Sequence, residues 1–149
     1  MKKLFYAAIV VTLLSSCGPS RMYYWGSTPM LDNGTSRYEE LAYKNYNRQT
    51  PESICELLCL YEDMVNNPGG KRGVVPPGIC AEYGYLLMLP STAETFEKYA
   101  TPKQKKVFST SDYAGAFPKM GEEMLKKEME LYPESTKFIE PLLKRFTGK

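Results

Sequence analysis

Apolar residues recur every three or four positions along most of the chain after residue 36, which is the spacing that places side chains on one face of an α-helix. The clearest case is Pro51–Asn66, where a helical projection groups Ile54 with four later apolar residues, namely Leu57, Leu58, Tyr61 and Val65. Lys119–Tyr132 has the same periodicity, whereas Ile79–Leu89 is apolar almost throughout, with Glu82 as its only charge, and is predicted to be a central, buried helix. No segment alternates as a half-buried strand would. The pattern therefore predicts an all-α fold.

Short signatures mark where these helices begin. Ser36 followed by Glu39 forms a capping box, in which each side chain satisfies a free backbone donor of the first helical turn. Thr50 precedes Pro51, and proline is favoured at the first helical position because its missing N–H costs nothing there. Two more capping boxes are predicted, at Ser91–Glu94 and Thr101–Gln104, and loops are predicted over 66–73 and 109–118.

Two segments resemble parts of a tetratricopeptide repeat. Ala81–Leu87 is similar to the first helix of the repeat, whose glycine, here Gly84, allows a partner helix to approach closely. Glu128–Ser135 is similar to the end of the second helix, where Pro133 closes the unit. The resemblance implies a tetratricopeptide-like antiparallel helix array with an insertion in the second repeat, at about 90–118, and a C-terminal capping helix. Residues 36–66 would form a degenerate first repeat.

The N-terminus has the pattern of an export signal. Lys2 and Lys3 precede an apolar run, Leu4–Leu14, that is too short to cross a bilayer as a helix. Leu14 and two serines then precede Cys17, which resembles the bacterial lipobox. That resemblance implies removal of residues 1–16 and lipidation of Cys17, whereas the alternative is an ordinary signal peptide with a chance cysteine. Because no aspartate follows Cys17, we expect anchoring at the periplasmic face of the outer membrane.

The mature chain is predicted to comprise a lipidated tether, 17–35, and a helical repeat-like domain, 36–149. The tether carries the densest aromatic patch and the only tryptophan of the chain, in Tyr23, Tyr24 and Trp25. Aromatic side chains so close to a lipid can pack on the body, lie in the membrane interface or dock a partner. The sequence leaves these three alternatives open, and the patch is the candidate site for partner or membrane contact.

The amino-acid composition excludes several kinds of catalytic and metal-binding site. The absence of histidine excludes His-based triads and His-ligated zinc or haem, and no catalytic, cofactor or metal site is predicted. The formal net charge of +2 argues against a nucleic-acid partner, which would require a concentrated basic face. Cys55, Cys59 and Cys80 are expected to pack between helices as small apolar side chains. The alternative is a disulfide that joins Cys80 to Cys55 or to Cys59.

The motifs together resemble a family of small bacterial lipoproteins that carries only a domain-of-unknown-function label. The resemblance rests on the lipobox and on four further motifs, which are Tyr23–Gly26, Val75–Gly78, Glu82–Tyr85 and Leu131–Ser135. Members are encoded beside a lipoprotein similar to the curli secretion channel, which implies an envelope assembly with that lipoprotein as a partner. The expected function is a non-enzymatic, lipid-anchored adaptor. The alternative is an envelope enzyme, or an activator of one, that acts on a cell-wall polymer.

Overall fold

In the computed structural model, residues 20–27, 30–32 and 34–148 are described, and this part of the chain contains helices and no strand. The prediction of an all-α fold is therefore confirmed. Seven α-helices and one short 3₁₀ helix, Pro133–Ser135, follow one another in this part. The α-helices are α1 (Arg37–Asn47), α2 (Pro51–Asn66), α3 (Ile79–Met88), α4 (Pro90–Tyr99), α5 (Pro102–Lys105), α6 (Tyr113–Leu131) and α7 (Thr136–Thr147).

Three of the predicted helix starts are present. The Ser36 hydroxyl accepts the backbone N–H of Glu39, and the Glu39 carboxylate accepts the N–H of Ser36, so the capping box of α1 is complete. Thr50 caps α2 in the same reciprocal way with Ser53. Thr101 and Gln104 do so for α5. These local exchanges satisfy donors that a helix end would otherwise leave unpaired.

The predicted start of α4 at Ser91–Glu94 is wrong. With Ser91 as N-cap the helix would begin at Thr92, but it begins two residues earlier, at Pro90, and its N-cap residue Leu89 makes no side-chain hydrogen bond to the helix. The backbone of Leu89 is extended, with ψ 127°, which is the conformation that a following proline imposes. Proline already holds the φ angle that a first helical residue needs, so Pro90 starts the helix without a capping box.

The loop predicted over 109–118 is wrong in its second half, because α6 begins at Tyr113. Asp112 caps the helix by accepting the backbone N–H of Gly115 at 2.9 Å. Pro118 then lies inside the helix and removes one backbone hydrogen bond. Tyr113 and Phe117 lie four residues apart on the same face and are both buried. Burial of these two rings offsets the cost of the proline.

The core lies between two antiparallel helix pairs and α4. The pair α1 and α2 is antiparallel, since Ser53 at the start of α2 donates to Asn45 at the end of α1. In the pair α3 and α6, Gly84 faces Gly121, and a Cβ placed on Gly84 would lie 2.8 Å from the carbonyl oxygen of Gly121. Only glycine permits the two backbones to approach so closely. Because of this crossing, α3 and α6 are the most closely packed helix pair in the described part.

The segment predicted as an insertion contributes to the core. Residues 90–112 form α4, α5 and their connecting turns, and α4 packs on both α2 and α6. Phe96 of α4 is fully buried and contacts three other rings, with centroid distances of 4.9 Å to Phe108, 5.0 Å to Tyr113 and 5.5 Å to Phe117. This cluster of four rings, the α4 aromatic cluster, ties the segment to the helices on either side of it.

Candidate functional site

The N-terminal segment, residues 20–27, packs against the loop that joins α2 to α3. The backbone N–H groups of Lys71 and Arg72 donate to the carbonyl oxygens of Arg21 and Met22, each at 2.9 Å. Gly70 makes this pairing possible, because its φ of +78° is left-handed and a Cβ there would lie 2.7 Å from the backbone of the segment. This part of the predicted tether is therefore attached to the body.

Tyr24 and Trp25 fix the segment to α1 and α2. The Tyr24 hydroxyl donates to Asp63 Oδ2 at 2.8 Å, and burial together with that carboxylate raises the pKa of Tyr24 to about 12. The Trp25 ring lies 5.3 Å from the ring of Tyr38, and the Trp25 carbonyl accepts the backbone N–H of Tyr38 at 3.2 Å. Both side chains are half-buried. They therefore cover the body and still contribute to its surface.

The side chain of Tyr23 interacts with the guanidinium group of Arg72. Arg72 donates to the Tyr23 hydroxyl at 2.7 Å, and its guanidinium carbon lies 5.7 Å from the centre of the Tyr23 ring. The structure thus brings Tyr23, Tyr24 and Trp25 together on the body, as the packing alternative describes. Contact of the same residues with a membrane or a partner stays a prediction. Cys17, the predicted lipidation site, lies outside the described residues.

The aromatic contacts continue from Trp25 across the helices. Tyr38 lies 6.2 Å from Tyr61, and Tyr61 lies 5.6 Å from Tyr83, so one line of rings crosses α1, α2 and α3. The hydroxyls of Tyr38 and Tyr61 both donate to Glu82 Oε2, at 2.8 and 2.7 Å. Tyr83 donates in the same manner to Glu62. We call the rings of Trp25, Tyr38, Tyr61 and Tyr83 the aromatic line.

Burial sets the protonation state of the tyrosine hydroxyls in the aromatic line. Burial, together with the charge and hydrogen bond of Glu82, raises the pKa of Tyr38 and of Tyr61 well above the ordinary value for tyrosine. Burial and Glu62 raise the pKa of Tyr83 in the same direction. The hydroxyls therefore stay protonated and act as hydrogen-bond donors at physiological pH. The arrangement holds three helices in register through packed rings and hydrogen bonds.

Two clefts open beside α1. One has a volume of about 360 Å³ and is lined by Arg21, Trp25, Met30, Ser36, Tyr38 and Glu39. The other, of about 480 Å³, is lined by Thr35, Glu39, Glu40, Tyr43 and Lys44. Tyr43, which lines the second cleft, is 72% exposed, and Tyr46, three residues further along α1, is 90% exposed. We call Tyr43 and Tyr46 the α1 tyrosine pair.

Glu128 is an important residue that sequence reasoning missed. Its side chain is buried, and its carboxylate accepts the backbone N–H groups of Gly78 at 2.8 Å and of Ala81 at 3.3 Å. Gly78, the N-cap residue of α3, has no side chain to do this. A carboxylate at a helix N-terminus also interacts favourably with the helix dipole. The signal was present in the helical projection, because Glu128 lies on the same face as Leu125 and Tyr132.

Glu128 makes a testable contribution to the pH dependence of stability. Burial raises its pKa above the ordinary value of 4.5, so the folded state binds this proton more tightly than the unfolded state does. The stability that this preference contributes is complete below pH 4.5 and is lost as pH rises through the raised pKa. We expect Glu128→Gln to abolish that loss, measured as urea midpoints across pH 4 to 8. Glu94→Gln removes the same charge from an exposed position and controls for net charge. Parallel pH profiles for wild type and Glu128→Gln would contradict this role.

The three cysteines of the described part are free. Cys55 and Cys80 are buried and Cys59 is half-buried, so the structure shows the packing alternative and not the disulfide. Burial raises the pKa of Cys55 to about 11 and the pKa of Cys59 and Cys80 to about 12. These thiols are therefore protonated and weakly nucleophilic at neutral pH. Within the described residues, no group of three cysteine or acidic side chains is arranged to hold a metal ion.

No model of a known family, no curated protein and no solved structure matches this chain. The resemblance to small envelope lipoproteins therefore stays a prediction from motifs, as does the tetratricopeptide-like arrangement. Among the helices of the described part, none combines the length and the apolar character that crossing a membrane requires.

Proposed function

We propose that this protein is a lipid-anchored adaptor of the bacterial cell envelope that binds a partner protein through its helical surface. In this proposal Cys17 carries the lipid, and the body lies on the periplasmic face of the outer membrane. The partner is a lipoprotein similar to the curli secretion channel, and the protein is an accessory subunit of that assembly. The lipobox motif and the family resemblance support the location, and the surface of α1 supports the binding role.

The α1 tyrosine pair is the observation that carries this proposal. Tyr43 and Tyr46 are three residues apart and lie side by side on α1, where both are largely exposed. Exposed tyrosines are enriched at the centres of protein interfaces, where a rigid ring buries a large area and its hydroxyl keeps a hydrogen bond. The cleft of about 480 Å³ that Tyr43 lines offers a recess at this surface.

The repeat assignment belongs to the same proposal. We assign α1 and α2 to a first tetratricopeptide-like unit, and α3 and α6 to a second one into which α4 and α5 are inserted. The antiparallel pairing and the close crossing at Gly84 and Gly121 support this assignment. The last helix, α7, would cap the array. Helical arrays of this kind present extended surfaces to protein partners.

We expect Tyr43→Ala/Tyr46→Ala to abolish partner capture while the fold persists. Crosslinking in cells, followed by mass spectrometry, would identify the partner with wild-type protein. Loss of two interface tyrosines that act as hot spots lowers affinity by at least about 30-fold. Phe138→Ala removes another ring, 69% exposed on α7, and serves as the matched control. Equal recovery with wild type and the tyrosine variant, or no partner with any of them, would contradict the proposal.

A further inference from the structure

The predicted lipid attachment lies very close to the packed body. Arg21, whose carbonyl oxygen accepts the backbone N–H of Lys71, follows Cys17 by four residues in the sequence. Four residues span at most about 14 Å even when fully extended. If Cys17 carries the lipid, as the proposed function requires, Arg21 lies within that distance of the lipidated residue. The protein therefore has no long tether that would let its body turn freely above the bilayer.

The residues that follow fix which end of the body faces the lipid. The N-terminal segment is paired through the backbone of Arg21 and Met22 with the loop between α2 and α3. This loop begins after Asn66, at the end of α2. Because α1 and α2 are antiparallel, that end also contains the start of α1 and lies opposite Tyr46. The anchor and the α1 tyrosine pair are thus at different ends of the helix pair.

The chemistry of this end suits an anionic bilayer surface. Arg21, Lys71 and Arg72 are all exposed, and Met22, which follows Arg21 in the paired segment, is 55% exposed. A groove of about 610 Å³ runs along the same surface and is lined by Ser20, Arg21, Tyr23, Tyr24, Gly70 and Lys71. The nearby carboxylate of Asp63 is engaged by Tyr24 and Asn67. Three exposed cations and one exposed apolar side chain, brought to the same end of the body by the backbone pairing, have the composition of an interfacial contact.

We propose that Arg21, Met22, Lys71 and Arg72 form a membrane-docking surface whose ligand is the anionic headgroups of the bilayer that holds the lipid anchor. The mature chain after removal of 1–16 has 17 basic and 17 acidic residues, since Lys2 and Lys3 leave with the signal. The local cluster, and not the net charge, therefore provides the attraction. Docking holds the loop between α2 and α3 against the membrane and directs the α1 tyrosine pair away from it.

The single tryptophan allows a direct test. The mature protein, extracted from envelopes in detergent, is reconstituted into vesicles of phosphatidylcholine, with or without phosphatidylglycerol, that contain a dansyl-labelled headgroup. Energy transfer from Trp25 to the dansyl groups reports how close the docking end lies to the membrane. The matched variant Trp25→Phe/Tyr46→Trp moves the only tryptophan to the far end of α1, about 12 Å along the helix axis from Tyr38. We expect transfer from the wild type to be clearly the stronger, most of all in anionic vesicles.

A charge reversal tests the chemistry of the contact. Lys71 is exposed, so Lys71→Glu changes charge at the surface with little effect on packing. Loss of one cation near an anionic bilayer reduces the docked-to-undocked ratio about fivefold, and the reversed charge reduces it further. Transfer from Trp25 should therefore fall in anionic vesicles and not in neutral ones. Lys103→Glu makes the same change on α5 and should leave transfer unchanged.

The outcomes separate this proposal from the one on which it rests. Flotation with the vesicles shows whether the wild-type protein is anchored. If it does not float, the anchored function and the docking surface are both wrong. If it floats but transfer is equal from the two tryptophan positions, or is insensitive to Lys71→Glu, only the docking surface is wrong. Stronger transfer from Trp25 that Lys71→Glu weakens in anionic vesicles supports the docking surface.

Discussion

Replacement of Phe96 by alanine is expected to lower the free energy of unfolding by about 3–5 kcal/mol. The side chain is fully buried in the α4 aromatic cluster, with three rings within 5.5 Å of its centre. Alanine would leave a cavity that these rings cannot fill, because Phe108, Tyr113 and Phe117 are each held by their own helix or turn. Urea denaturation followed by circular dichroism measures the loss.

Phe138→Ala is the control for this substitution. Phe138 lies on α7 and is 69% exposed, so the same truncation removes little buried area there. Its effect should stay within about 0.5 kcal/mol, as for most surface substitutions. A loss below about 1 kcal/mol for Phe96→Ala would show that the segment 90–112 does not share the core. In that case α4 would be a peripheral insertion and not a part of the packed body.

Replacement of Gly84 by leucine is expected to cost more than about 3 kcal/mol or to prevent folding. Overpacking a core costs about 1–3 kcal/mol even where side chains can move aside. At Gly84 the first atom in the way is the backbone carbonyl oxygen of Gly121, at 2.8 Å, followed by Leu125 at 2.9 Å. A backbone atom inside a long helix cannot move away cheaply. The change would therefore separate α3 from α6.

Gly84→Ala keeps the experiment informative if the leucine variant does not fold. Its single methyl group meets the same oxygen, whereas alanine favours helix formation over glycine by about 1 kcal/mol. We expect the clash to exceed this gain, so that Gly84→Ala also unfolds at a lower urea concentration than wild type. Ser91→Leu places a leucine on an exposed position of α4 and should be nearly neutral. A Gly84→Ala variant more stable than wild type would refute the close crossing.

Local sequence rules identified three of the seven α-helix starts in the described part by their caps, because capping depends on residues three positions apart. Ser36, Thr50 and Thr101 all cap the helices that the sequence assigned to them. The capping rule did not identify the starts of α4 at Pro90 and of α6 at Tyr113, because other effects determine where these two helices begin. At Pro90 the ring of the proline sets the backbone by itself. At Tyr113 the burial of two rings on one face holds a helix together across Pro118, and this depends on contacts with α4 that are distant in sequence.

The candidate site was less predictable, since its partners come from distant parts of the chain. The sequence singled out Tyr23, Tyr24 and Trp25, yet gave no means of pairing Tyr24 with Asp63 or Trp25 with Tyr38. The need for glycine at position 70 also arises only when the N-terminal segment lies against it. Sequence reasoning also missed Glu128, although a helical projection places it on the apolar face with Leu125 and Tyr132.

The proposed anchor and the proposed partner surface form one arrangement. The N-terminal segment attaches the start of the chain to one end of the helix pair α1 and α2. The α1 tyrosine pair lies on α1 toward the other end, where Tyr46 is 90% exposed. A lipid at Cys17 would therefore leave the exposed tyrosines accessible to a second protein. The two proposals share one premise, which is that the thiol of Cys17 is modified.

The mass of the mature protein, extracted from envelopes in detergent, tests that premise most directly. We predict a chain that lacks residues 1–16 and begins at Cys17, with added mass that corresponds to a diacylglyceryl group and one amide-linked acyl chain. A mature chain with a free Cys17 thiol, or one cleaved at another position, would contradict the account.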